Sequence, residues 1–197
     1  SSLIIRGHNP TQTAASGFVD IGESGDLVYL ATAETMNITS SSTDDAAAGI
    51  GLRTVLISGV NNDGTLTTEV IILNGTNNVE TLNSYLRVNV MIGQTAGTTG
   101  WNVGAVTATA STAATIQSEM DATESVSQSS HYTVPLGKTF YLLQVELNTA
   151  KISGGGTPEV EFKGYARSGG IGAAWIQLFD KKMDTAEQDG LDIILPL

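Results

Sequence analysis

The segment from Arg53 to Leu73 constrains the fold of this chain more than any other. Two runs rich in β-branched residues flank the turn cluster Asn61-Asn62-Asp63-Gly64. An Asp-Gly pair supplies the positive φ angles that a tight turn requires, and strictly alternating faces are typical of a strand. In the second run, one face carries Leu66, Thr68, Val70 and Ile72. The segment therefore predicts a β-hairpin.

Similar signals recur as far as the C-terminus and predict an all-β protein. Short alternating segments, separated by turns with Gly, Asn or Pro, follow one another every 8 to 12 residues or so, which is typical of an antiparallel β-sandwich or a jelly roll. We expect about ten to twelve strands, including short ones at 18–21 and 27–30. The domain is expected to span 18–197, with an extended N-terminal arm at 1–17. A sub-boundary near 93–100 is an alternative.

Three local patterns predict further elements. Ile116 and Met120 are four residues apart, which favours a short helix over 112–120. Pro135 presets φ for a Pro-Leu-Gly turn, so that 132–143 is expected to form a second hairpin. The segment 44–48 is expected to form at most one helical turn, because the glycines after it end a helix.

Composition excludes several classes of partner. The chain of 197 residues has no cysteine, so neither a disulfide nor a cysteine-ligated zinc site is available. Twenty acidic residues against nine basic ones give a formal charge of −11, which repels nucleic acid and anionic membranes. No apolar run reaches the roughly 20 residues of a membrane helix. We therefore expect no nucleic-acid partner and no membrane span.

The low fraction of charged residues favours contact with other proteins. Charged residues make up 15% of the chain, whereas about 25% is typical of soluble domains. Ser, Thr, Asn and Gly take their place, and such surfaces suit close packing against protein. The N-terminal residues do not resemble a signal peptide, so we expect synthesis in the cytoplasm.

Residues able to perform chemistry are scarce. His8 and His131 have no carboxylate or second histidine at ligand spacing, so we expect their replacement by alanine to leave stability nearly intact. Gly164–Gly172 lacks the context of a phosphate-binding loop, and Gly22–Gly25 lacks the spacing of a nucleophile elbow. The sequence thus predicts no catalytic residue, no cofactor, no metal and no enzyme.

One acidic group leaves two interpretations open. Its carboxylates would suit calcium, although the spacing differs from that of a calcium-binding loop, and a solvated loop is the simpler interpretation. The residues concerned are Asp180, Asp184, Glu187, Asp189 and Asp192.

Aromatic and terminal apolar residues are the candidates for interfaces. Trp101 and Trp175, with several tyrosines, would suit either a sugar-binding platform or a core or interface role. The apolar tip Leu3, Ile4 and Ile5 needs burial, either in its own sheet or on a neighbouring subunit. We predict these five residues as a protein-protein interface.

Three segments of the chain have a recognisable order and spacing. They are RTVLISG at 53–59 with EVIILNGT at 69–76, NSYLRV at 83–88 and HYTVPLGKT at 131–139. Together they resemble a family of virion structural proteins of tailed bacteriophages. Family members carry a strand end Glu-Thr-Val-x-Leu-Asn-Gly-Thr, a strand start Ser-Tyr/Phe-Leu-Arg-Val and a hairpin Tyr-Thr-Val-Pro-Ala-Gly-Lys-Thr. The likeness covers about residues 50–145 and departs at Leu136, where the family has Ala.

The resemblance implies a virion component, and the motif elements are turns and strand ends that carry no chemistry. We expect a capsid decoration or cement protein that binds the major capsid protein and copies of itself, with the virion as its location. A tail or fibre component that binds host surface carbohydrate is the alternative. An extracellular adhesion module is a third class, which the missing signal peptide disfavours.

Overall fold

The protein is an antiparallel all-β chain, as the alternation predicts. The computed structural model describes residues 5–9, 18–22, 25–149, 159–168, 173–184 and 188–196. In these ranges it has eleven strands and no helix, and every strand pairing is antiparallel. The sandwich or jelly-roll arrangement stays a prediction. The chain divides into two compact units, 1–137 and 138–197. The alternative boundary near 93–100 falls inside the first unit, where a strand ends.

The first unit contains two sheets. One has the strand order β4-β1-β6-β7 and the other the order β3-β2-β5. The strands are β1 Met36–Ser40, β2 Leu52–Val60, β3 Leu66–Ile72, β4 Val79–Glu80, β5 Arg87–Ala96, β6 Val106–Ala110 and β7 Ile116–Met120.

The β2–β3 hairpin is confirmed. Its strands pair without a register shift from Thr54 opposite Ile72 to Val60 opposite Leu66. Gly64 has a φ of 82°, which is the left-handed region that the turn demands of it. The side chains of Asn61 and Asp63 each accept the Thr65 N–H at 2.9 Å. Hydrogen bonding by the side chain of Thr65 and then by its backbone lowers the pKa of the Asp63 carboxyl.

Both sheets of the first unit contribute to one hydrophobic core. Alternate residues of β1 and β6 are buried, as expected for strands that pack one face on a core. Burying an aliphatic side chain of this size contributes roughly 1.5 to 3 kcal/mol relative to leaving it in water. The strand residues of this core are Met36, Ile38, Leu52, Val55, Ile57, Ile71, Val88, Met91, Val106, Ala108, Ala110 and Met120.

The predicted helix over 112–120 is wrong, because residues 116–120 form β7 and pair with β6. A spacing of four residues fits one face of a regular strand as well as of a helix. In β7 a register shift against β6 separates the two side chains, so that Met120 is buried and Ile116 is exposed. Ala114 has a φ of 54°, which makes the preceding segment a turn instead of a helix start. Residues 44–48 likewise form turns without a helix.

The predicted second hairpin at 132–143 is also wrong. A turn forms at Leu136 and Gly137, where the φ of Gly137 is 73°, but residues 131–135 form no strand. We call residues 131–137 the strap. It is fixed by its contacts with β5, where the Asn89 side chain donates to the Thr133 carbonyl (2.8 Å) and accepts from the Thr133 N–H (2.9 Å).

The strand predictions at 18–21 and 27–30 are wrong as well. This region makes only an isolated bridge between Gly22 and Ser129. Two aspartates cap its backbone instead, since Asp26 accepts the N–H of Asp20 and Asp20 accepts the N–H of Leu27, both at 2.9 Å.

The second unit pairs strands in two separate two-stranded sheets. They are β8 Tyr141–Asn148 with β11 Gln188–Pro196, and β9 Glu159–Ala166 with β10 Ile176–Asp184. The alternation at 159–166 predicts the bounds of β9 correctly. Lys163 on β9 lies 3.2 Å from a Glu161 oxygen and 3.7 Å from an Asp180 oxygen. One carboxylate of the predicted acidic group thus faces a lysine.

Candidate interaction surfaces

One face of the β3-β2-β5 sheet is apolar and exposed, and we call it the outer sheet face. On β3, Leu66, Val70 and Ile72 are between 51% and 59% exposed. Across the sheet, the register sets Val70 beside Leu56 and Leu56 beside the exposed Ile92. The opposite face of the same strands lies in the core, so the pleat leaves this row uncovered within its own unit. A contiguous apolar surface of this kind is typical of a contact site.

Glu69, on the inner face of β3, has a structural role. Its carboxylate accepts hydrogen bonds from the Leu82 N–H (3.1 Å), the Asn83 side chain (3.3 Å) and the Tyr85 hydroxyl (3.2 Å). Burial of the ring and the adjacent negative charge both raise the pKa of Tyr85. The β3 strand therefore has no uncommitted charge.

Loops at one end of the first unit are joined through Asp45, whose side chain is fully buried. Its carboxylate accepts the Ser40 hydroxyl at 2.6 Å and three N–H groups, those of Leu52, Val103 and Gly104, at 2.8 to 2.9 Å. Four donors compensate the cost of burying this charge. The loops at 41–51 and 97–105 are thus bound to each other and to β2.

Asn102 extends the same connections to the loop at 121–125. Its side-chain amide donates to the carbonyls of Gly104 and Asp121, both at 2.7 Å, and accepts the Ser125 N–H at 2.9 Å. We call the loops 41–51, 97–105 and 121–125 the loop platform. The anchors make it a preorganised surface.

Trp101 stands on the loop platform and is 50% exposed, so the structure places this predicted residue at a surface. Thr99 fixes the backbone on both sides. Its N–H donates to the Ile50 carbonyl at 3.0 Å, and its hydroxyl, which has one proton, lies within hydrogen-bond distance of the Trp101 (2.8 Å) and Ile50 (2.9 Å) carbonyls. Ile50 is exposed as well, and it adds a second apolar side chain to this region.

Trp175, the other predicted tryptophan, lies in the second unit and is about half exposed. The Arg167 guanidinium stacks over its ring at 4.7 Å from the centroid. In the first unit, Arg87 stacks over Tyr29 at 4.6 Å. Each of these rings already has a cation on one face, which leaves less aromatic surface for a ligand.

The N-terminal candidates are described only in part. Leu3 and Ile4 lie outside the described residues, and Ile5 is half-buried. Just beyond it, an added Cβ at Gly7 would lie 2.6 Å from the carbonyl oxygen of Ile21 and 2.8 Å from the Cβ of Ser130. The chain after Ile5 therefore runs against its own unit.

His131 has two hydrogen-bond partners, a hydroxyl and a backbone carbonyl, neither of which is the carboxylate or second histidine that a metal or general-base site would need. Its Nε2 lies 3.1 Å from the Val88 carbonyl, which only accepts, so Nε2 carries the proton and Nδ1 accepts the Ser129 hydroxyl. Burial lowers the pKa of His131 and keeps the ring neutral. A carbonyl, not a carboxylate, orients the ring, and the side chain connects the strap to β5. His8 is exposed.

The described ranges hold no group of three metal-binding side chains. A shallow depression of about 410 Å³ lies beside the hairpin turn, and Asp63 is its one carboxylate. Its wall has no histidine, and the Asn61, Asn62 and Asp63 oxygens already accept backbone N–H groups. This depression lacks an acid-base pair. These ranges also contain no helix that could span a membrane.

The anchors of the loops and the strap were not predicted from the sequence. Asp45 stands in an Asp-Asp pair within a Ser-rich segment, Asn102 lies between Trp101 and Val103 in a loop, and Asn89 lies between two valines in β5. A polar residue inside an apolar run is the signal that would have found Asn89.

The comparisons with known proteins give no relative. No family model, no curated protein and no solved structure matches this chain.

Proposed function

We propose that this chain is a non-enzymatic structural protein of a tailed-bacteriophage virion, and that it decorates or cements the assembled capsid. The observation that carries the proposal is the outer sheet face, with its row of exposed apolar side chains on a sheet fixed from behind by the core. Such a surface can bury apolar area against the major capsid protein without any chemical step.

The position of the similar segments supports a virion role. Nearly all of their residues fall on or beside one sheet: 53–59 on β2, 69–76 on β3 and just after it, 83–88 running into β5, and 131–137 of the last segment on the strap that contacts β5. Leu136 of the strap donates its N–H to the Gly64 carbonyl at 2.8 Å, next to the hairpin turn. The resemblance thus concerns one contiguous structural element, and two sheets around one core support a sandwich arrangement.

A decoration role follows from mass action. A protein that binds the assembled lattice and not the free subunits stabilises the lattice by its binding free energy. Burying an apolar side chain of the size of Val70 or Ile72 contributes roughly 1.5 to 3 kcal/mol, which offsets part of the free-energy cost of association.

The test compares capsids that carry the wild-type protein with capsids that carry Val70→Asp. The charge is placed in the middle of the outer sheet face, on a side chain that is not part of the core. We expect loss of bound copies and a lower temperature of DNA release, both measured on intact particles. Thr98→Asp adds the same charge on an exposed loop position and serves as the control. Equal occupancy of both variants would contradict the assigned surface, and absence of the protein from particles would contradict the role.

Trp101 favours a second candidate function, a tail or fibre component that binds host carbohydrate. A half-exposed indole on a preorganised loop can stack on a sugar ring. The measurement is binding of the purified protein to host surface glycans, with Trp101→Ala as the variant. Glycan binding that Trp101→Ala abolishes would favour this function over capsid decoration.

A further inference from the structure

The free edge of β3 offers a strand-binding site. β3 ends its sheet, in the order β3-β2-β5. The Leu73 N–H donates to the Arg53 carbonyl at 2.9 Å, so these two residues form a hydrogen-bonded pair. Counting back from Leu73, every second residue of β3 is therefore hydrogen-bonded to β2. Antiparallel pairs alternate, so the intervening residues direct their N–H and C=O groups outward. These residues are Leu66, Thr68, Val70 and Ile72.

The outward groups have the spacing that a further strand can pair with. None of the described residues bonds to them, and they recur at roughly 6.8 Å, the repeat of two residues in a strand. Native edges are usually protected by Lys, Pro or a bulge. β3 has none of these: its one charge, Glu69, is bound from the inner side, and its pairing with β2 has no register shift.

We propose that β3 pairs antiparallel with β3 of a second copy of this chain, around a two-fold axis. Charge favours a copy at this place. The chain carries −11, but strands β2, β3 and β5 together hold two arginines against one glutamate, so the repulsion between copies is least along this sheet. The other edge of the sheet is less suitable, because β5 has register shifts against β2 and Ile92 bridges to Val126.

Side chains select the register of this pairing. Centring it on Glu69 would place two carboxylates directly opposite each other, which is destabilising. Centring it on Thr68 sets Thr68 opposite its counterpart, Leu66 opposite Val70 and Glu69 opposite Thr67, whose hydroxyl can donate. Three hydrogen-bonded residue pairs then exchange roughly six backbone bonds. An isologous contact closes on itself, so it gives a dimer and not a filament.

The dimer is expected to be weak in free solution. A single pair of strands buries less than the roughly 1,200 Å² of a stable interface. Sedimentation velocity between about 1 µM and 1 mM should therefore show a rise from the monomer to the dimer coefficient. This inference does not rest on the capsid role, since self-association is measured on the purified protein.

Two substitutions on the same sheet test the edge. Thr68→Lys opposes two positive charges across the axis and should abolish the concentration-dependent rise. Gln94→Lys adds the same charge at an exposed position of β5 and should leave it unchanged. An unchanged circular dichroism spectrum and melting curve confirm that each variant folds. Retained association in Thr68→Lys, or loss in Gln94→Lys alone, would overturn the proposal.

A cysteine pair tests the register, and the absence of native cysteine makes it clean. Thr68→Cys places two thiols about 5.5 Å apart, whereas Ser58→Cys, one strand further in, places them roughly 14 Å apart. A short thiol cross-linker should trap dimers of the first variant and not of the second. If the wild-type protein stays monomeric throughout and Thr68→Lys still lowers capsid occupancy, the edge binds a lattice protein, and the second-copy proposal is wrong.

Discussion

The β2–β3 hairpin and the strap contain the same turn device in different settings. Gly64 and Gly137 both have positive φ, 82° and 73°. Around Gly64, two strands form a complete ladder. Before Gly137, the chain forms no strand, and side chains of Asn89 and His131 hold it against β5. A turn signal thus predicts the turn, whereas a hairpin also requires that each flank bond to the other.

The flanks explain the difference. Both flanks of Gly64 are long runs of alternating apolar residues, and each buries one face in the core. After Gly137, β8 pairs with β11, so that Tyr141 lies opposite Pro196. A pairing over such a separation leaves no local pattern, and the strap, which forms no strand, does not supply a partner in its place.

The largest expected effect comes from removing core support behind the hairpin. Ile57→Ala on β2 leaves a cavity among fully buried residues and should cost about 2 to 5 kcal/mol of unfolding free energy. Denaturation followed by Trp101 fluorescence, in a Trp175→Phe background, measures it. The control Ile72→Ala truncates an exposed side chain of β3. Equal losses would show that the outer sheet face is covered in solution.

The next effect tests the strap. Asn89→Ala leaves the Thr133 N–H and C=O without their side-chain partner, which should cost about 1 to 3 kcal/mol. Hydrogen exchange at Thr133 should accelerate more than exchange at Val55 in β2. The exposed Gln94→Ala is the control for a shortened amide on β5. An unchanged exchange rate at Thr133 would show that the Asn89 side chain does not anchor the strap.

Substitution of the two glycines compares the turns directly. Gly64→Val and Gly137→Val each force a β-branched residue to positive φ, which should cost about 1 kcal/mol or more. The same fluorescence assay measures both. A loss of unfolding free energy for Gly64→Val with none for Gly137→Val would mean that the strap turn relaxes to another conformation. The hairpin turn cannot relax in this way, because the pairing of β2 with β3 fixes both of its ends.

The smallest effect depends on pH. Because burial lowers the pKa of His131, the unfolded state binds a proton more readily than the folded state. Stability from the neutral ring is complete above the unfolded pKa of about 6.5 and declines as pH falls toward the folded pKa. Urea midpoints at pH 7.5 and 5.5 should differ more in wild type than in His131→Gln. The control His8→Gln should retain the wild-type difference.

The fold was predictable from the sequence where a local pattern had one meaning. Strict alternation with a fitting turn predicted β2 and β3, and alternation alone predicted β9. The spacing of Ile116 and Met120 fits both a helix and a strand, and the pairing of β7 with β6 decided between them.

The candidate site was less predictable. Exposed Trp101 was identified, because an indole is amphipathic wherever it lies. The outer sheet face was not identified. Alternation separates the two faces of a strand, but only the position of the core decides which of them is exposed to water. The anchoring roles of Asp45, Asn89 and Asn102 depend on donors that are distant in sequence.

The buried carboxylate of Asp45 has a consequence for proteolysis. The platform loops are rich in Ser, Thr and Gly, and loops of that composition are ordinarily cut first. A protease requires an extended segment in its cleft. Freeing 97–105 would remove the Val103 and Gly104 N–H groups from the buried Asp45 carboxylate, and freeing 41–51 would pull Asp45 itself away from its donors. Limited digestion should therefore spare these loops, and the rate of cleavage there should follow the equilibrium opening of the whole first unit.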